Sequence, residues 1–131
     1  MAVPPATNTH LLSFDVEPWY QGWVSRGLSG WEPYPPRDEA TIDRLLGLIE
    51  EASVKATFFT VGTFAEAHRT LVARISAQGH EIASHGYVHW LIERFPPDGF
   101  REELHRSIGV LEDIAGTKVL GHRAVSWSVN S

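Results

Sequence analysis

A chain of 131 residues with 43% hydrophobic side chains has room for one domain, residues 1–131, with a real core. A formal net charge of -5, with no cluster of lysines and arginines, excludes a nucleic-acid partner held through its phosphates. The absence of cysteine excludes disulfides, thiolate metal sites and a cysteine nucleophile.

The apolar run at residues 10–16 predicts a first strand, with the acids Asp15 and Glu17 at its end. The connection that follows, residues 17–37, is longer than most loops in compact domains and is expected to be a functional surface. It carries Trp19, Tyr20, Trp23, Trp31 and Tyr34. Such rings stack on sugars, or else pack over the open end of the sheet. Asp38 is expected to cap a helix whose apolar face is Ile42, Leu45, Leu46, Ile49 and Ala52.

Residues 55–61 read as a buried strand. A helix follows with Phe64, Ala67, Leu71, Val72 and Ile75 on one stripe, stopped by Gly79. Residues 80–84 form a third predicted strand, which delivers His85 and His89. Pro96-Pro97-Asp98 opens a helix with Phe100, Leu104, Ile108, Leu111 and Ala115 inward, ended by Gly116, and residues 118–124 form a fourth strand.

Strands alternating with helices imply parallel pairing through right-handed crossovers, with ligands beyond the carboxyl ends of the strands. Asp15, Glu17, His85, His89 and Arg123 all fall at those ends. Four strands and three helices leave open sheet edges, so the chain has the look of the first half of something larger. No apolar run approaches the roughly 18 residues that span a bilayer. Residues 1–8 carry neither the basic nor the apolar part of a signal peptide. No membrane contact and a cytoplasmic location are the expectations.

Two imidazoles four residues apart can converge on one metal ion, and one carboxylate completes a common catalytic set. Such a cation lowers the pKa of a water and polarises a carbonyl. Asp15 and Glu17 point to one side if the strand stays extended, so one can bind metal while the other serves as base. Arg123 is expected to hold the base by a bidentate ion pair. Metal-assisted hydrolysis of an amide or ester follows. His80 is expected to make structural hydrogen bonds, while His10, His68, His105 and His122 read as surface residues.

The motifs carry a family resemblance. Phe14-Asp15-Val16-Glu17 is similar to the first motif of the polysaccharide deacetylase (NodB-homology) family, with the second acid displaced by one residue. Ser84-His85-Gly86-Tyr87-Val88-His89 is similar to the second, with Gly86 in place of a hydroxyl residue. Gly121-His122-Arg123-Ala124-Val125-Ser126-Trp127 resembles the third, with Val125 where proline is usual.

The resemblance runs from about residue 12 to residue 127. It implies a partial, irregular (β/α) barrel and a metal-dependent carbohydrate esterase that removes an acyl group from an N-acetylated sugar. It makes Asp15 the base, Glu17, His85 and His89 the ligands of a divalent metal, zinc first, and Arg123 the residue that orients the base. Trp19, Tyr20, Tyr87 and Trp127 are the candidate sugar contacts. An allantoinase-like hydrolase of small amides and a non-catalytic carbohydrate-binding or assembly module are the rival readings. The family's later motifs, which include the leaving-group acid, are expected beyond residue 131. The chain is then a fragment, a truncated product, or a subunit whose barrel another chain completes.

Overall fold

The computed structural model describes residues 10–129. Three strands, β1 (Ser13–Val16), β2 (Thr57–Thr60) and β3 (Glu81–Ser84), form a parallel sheet in the order β1-β2-β3. Between them run α1 (Gln21–Val24), α2 (Asp38–Glu51), α3 (Gly62–Ala67) and α4 (Arg69–Ala77), and α5 (Pro97–Ala115) follows β3. Strand, crossover helix and parallel strand repeat as predicted, the arrangement of a partial (β/α) barrel wall.

Side chains alternate across each strand. Val16, Phe58, Thr60, Ile82 and Ser84 are buried on the helix side, where Ile42, Leu46, Ile49, Phe64, Leu71, Val72, Ile75 and Leu111 close the core. On the opposite face lie Asp15, Thr57, Phe59 and Glu81, which are exposed or half-exposed. This face and the strand ends are what the chain has to work with.

Several elements differ from expectation. Residues 10–12 do not extend β1: Thr57 N–H donates to Leu12 O at 3.0 Å, but Leu11 is 94% exposed and outside the sheet. The long connection contains the single turn α1. Asp38 is the first helical residue rather than the cap, and its Oδ1 accepts the Trp19 N–H at 2.8 Å, tying the aromatic loop to α2.

The second helix is two: His68, at φ -125° and ψ 43°, separates α3 from α4. The fourth strand shrinks to one parallel bridge, Ser84 with His122, held by Ser84 N–H to Gly121 O and Arg123 N–H to Ser84 O, both at 2.9 Å. Among the described residues no strand lies beyond it to prolong that ladder. Gly116 ends α5 as expected, in the left-handed region at φ 67°.

Candidate metal centre

Glu17 follows β1, while His85 and His89 follow β3, and the sheet order brings these two strand ends to one rim. One potential ligand atom from each residue lies within 4.8 Å of those of the other two. It is the one such acidic or histidine cluster among the described residues. His85 is 2% exposed, and its Nδ1 lies 2.7 Å from the carbonyl oxygen of Arg123. A carbonyl only accepts, so Nδ1 carries the proton and the Nε2 lone pair faces outward, as a ligand requires.

Glu17 Oε2 lies 2.5 Å from His89 Nε2. Both Glu17 Oε2 and His89 Nδ1 are buried with no hydrogen-bond partner. Buried polar atoms rarely stay unpaired, and a carboxylate oxygen this close to an imidazole nitrogen is stabilised by a proton on that nitrogen or by a cation that both atoms ligate. Nitrogen and oxygen donors with no thiolate suit zinc or a neighbouring divalent ion. The residues present therefore fit the metal.

Asp15 stands beside this cluster, its Oδ2 3.9 Å from His85 Nε2. Arg123 Nη1 donates to Asp15 Oδ1 at 2.6 Å, but its Nη2 turns to Ser13 Oγ at 2.8 Å. The pair is not the bidentate fork expected, because Ser13, two residues earlier on the same face of β1, takes the second donor. The guanidinium lies 4.0 Å from the Phe59 ring and 4.8 Å from that of Trp127. Ser126 and Trp127 adopt φ near +50°, an uncommon conformation that lays the otherwise exposed indole against Arg123. Residue 123 thus serves twice: its side chain aims Asp15 and its carbonyl sets the tautomer of His85.

The remaining predicted contacts scatter. Tyr20 stacks on Trp31 with centroids 5.3 Å apart, and Trp19 meets Tyr20 edge-on. Tyr87 is engaged on the helix side. Its hydroxyl bonds Glu66 at 2.9 Å and Arg106 lies 3.8 Å from its ring. That hydrogen bond, more than desolvation, raises the phenol pKa. His122 is exposed, as expected of a surface residue, while its Nδ1 lies 3.3 Å from Ser84 Oγ. Burial, and then the neighbouring His85, push its imidazole below the usual histidine value.

A family model described as polysaccharide deacetylase matches residues 3–129. The chain belongs to the polysaccharide deacetylase family. It is 33% identical over 73 residues to a peptidoglycan-N-acetylglucosamine deacetylase of Bacillus cereus, covering 56% of this chain and 26% of that protein. It is 28% identical over 108 residues to a peptidoglycan deacetylase of Helicobacter pylori, covering 82% and 34%.

The Xyl-CE4 domain of a multidomain xylanase from the hindgut metagenome of Trinervitermes trinervoides superposes with a TM-score of 0.70 at 25% identity, over 92% of this chain and 49% of that one. The partial (β/α) barrel expected from the sequence is thus the fold of this deacetylase family. The chain spans about a third or less of these curated relatives and about half of the solved one.

Sequence reasoning missed Ser13, Glu103 and the Arg123 carbonyl. A backbone acceptor leaves no trace in side-chain identity. Ser13 was legible in principle, since it shares a strand face with Asp15. Glu103 carried a fainter signal, lying four residues before Ser107 and eight before Leu111, both buried on α5.

Proposed function

We propose that this chain supplies the metal site and the general base of a hydrolase that removes an acetyl group from an N-acetylated sugar. The observation that carries the proposal is the Glu17–His85–His89 cluster, with Glu17 Oε2 unpartnered and Asp15 alongside. A divalent ion there, zinc first, would act as a Lewis acid on the amide carbonyl and bring the pKa of a water toward about 7. Asp15 accepts the proton of the attacking water through Oδ2, since Oδ1 is occupied by Arg123. Arg123 fixes the direction of that carboxylate, and its carbonyl keeps His85 in the ligating tautomer.

Room for a sugar exists beside His89, in a cleft of about 570 Å³ bounded by Gln21, Ser25, Trp90, Arg94 and Ser126. Val125 and Ser126, which precede Trp127, also line the cleft. The curated relatives named above are described as deacetylases of peptidoglycan, and that likeness favours an N-acetylated glycan as the substrate class.

Zinc binding is the first test. At a free concentration 100 times its Kd, zinc is expected to raise the unfolding free energy by about 2.7 kcal/mol. The H85A/H89A double variant should lose that gain. D15N should keep it, while in a protein that joins this chain to the later motifs acetate release from N-acetylglucosamine oligomers falls by about 10²-fold or more. No zinc effect on the parent chain would sink the proposal. Zinc binding with hydrolysis of small cyclic amides, and none of the oligomers, would move the substrate class to those amides.

A further inference from the structure

The loop from His85 to Val88 has no regular structure of its own, yet each of its four N–H groups has a partner. His85 N–H donates to Thr60 O at 3.0 Å, and Gly86 N–H to Ser84 Oγ at 3.1 Å. Tyr87 and Val88 both donate to a single atom, Glu103 Oε1, at 2.5 and 2.9 Å. The carbonyls of Gly86 and Tyr87 accept from Gly62 and Thr63, at the start of α3, both at 2.9 Å. One helix therefore supplies donors to the loop, and α5 supplies the acceptor.

Glu103 reaches the loop across a sequence gap of 16 residues. Two charge-assisted bonds to one carboxylate oxygen are stronger than neutral ones. One turn further along α5, Ser107 Oγ contacts Ser84 Oγ at 2.9 Å, so the same helix face also holds the residue before His85. Gly86, at φ +84°, is part of the device. A Cβ at that position would come within 3.1 Å of Glu103 Oε1, so the missing side chain leaves room for the carboxylate.

We infer that Glu103 is the positioning residue of the metal centre: its carboxylate clamps the Tyr87 and Val88 amides and so fixes His89 relative to His85. The inference rests on reading Glu17, His85 and His89 as ligands. The clamp touches neither metal nor substrate. It acts by setting the backbone between two ligands, and supporting shells of this kind commonly govern metal affinity by about 10–100-fold.

The test compares E103A, E103D and E103Q by zinc affinity in competition with a chromophoric chelator, by circular dichroism, and by amide hydrogen exchange at Tyr87 and Val88. E103A is expected to keep its helix content, lose protection at both amides, and bind zinc about 10–100-fold more weakly. E103D keeps the charge but withdraws it by one methylene, so it should fail in the same way even if E103A folds poorly. E103Q keeps an acceptor oxygen and should stay close to the parent.

Unchanged zinc affinity in folded E103A and E103D, with the parent binding normally, would overturn the inference alone. So would E103Q falling as far as E103A. A parent chain that binds no zinc would overturn the ligand reading and this inference with it, and the exchange data would still show whether the clamp exists.

Discussion

Gly62 begins α3 directly beneath the histidine loop, and replacing it with alanine sets two effects of opposite sign against each other. Alanine is the better helix former by up to about 1 kcal/mol. Its Cβ, however, would sit 2.6 Å from Tyr87 Cδ2 and 3.0 Å from Tyr87 Cα, whereas carbon atoms pack best at about 3.5–4.0 Å. Something must move by roughly 1 Å.

Tyr87 cannot swing away cheaply. Its hydroxyl is bonded to Glu66, Arg106 covers its ring, and its N–H is held by Glu103. Overpacking of this kind costs about 1–3 kcal/mol, so the steric term wins and G62A should be less stable by about 1–2 kcal/mol. Urea unfolding followed by circular dichroism reads the change as a lower midpoint at constant slope. In a Y87A background the ring contacts are gone and only the 3.0 Å approach to the Cα of residue 87 remains, so the same substitution should cost clearly less, a coupling that a double-mutant cycle isolates. A G62A chain as stable as the parent, or more stable, would refute the reasoning.

Arg123→Lys keeps the charge but cannot reach Asp15 and Ser13 together or lie flat between Phe59 and Trp127. It should lower stability by about 1 kcal/mol in urea unfolding, with zinc affinity kept, because the His85 acceptor is a backbone carbonyl. Lost zinc affinity in R123K would contradict that division of labour.

His80 is 7% exposed and its Nδ1 accepts the Ala56 N–H at 3.3 Å, as the structural role expected of it requires. Burial, then Lys55, lower its pKa from the ordinary 6.5. The folded state therefore prefers the neutral ring. That stability is complete above about pH 6.5 and is lost as pH falls through the lowered folded value. The melting temperature of H80Q should fall less than the parent's between about pH 7 and pH 5, and equal slopes would remove His80 as the cause.

Much of the site was legible because its chemistry is local. His85 and His89 announce themselves by spacing, Asp15 and Glu17 by closing an apolar run, and alternation of strand and helix carries Arg123 to the same rim across 108 residues. Where local rules were silent, the reading slipped. No glycine or proline marks the break at His68, whose ring stacks on Phe64 at 4.4 Å. Residues 118–124 have strand-forming composition, but a strand exists only where a neighbour accepts its hydrogen bonds, and only Ser84 does.

The sequence by itself determined the order of elements, the core stripes, the family motifs and the identity of the side chains proposed as metal ligands, because periodicity and spacing act within a few residues. The tertiary structure alone decided which atoms meet. The angle at which α5 docks brings Glu103 to two loop amides, the bridge at Ser84 puts the Arg123 carbonyl on His85, and Ser13 divides the guanidinium from a bidentate grip on Asp15. Each depends on positions set by packing between distant segments, to within a hydrogen bond's tolerance of a few tenths of an ångström.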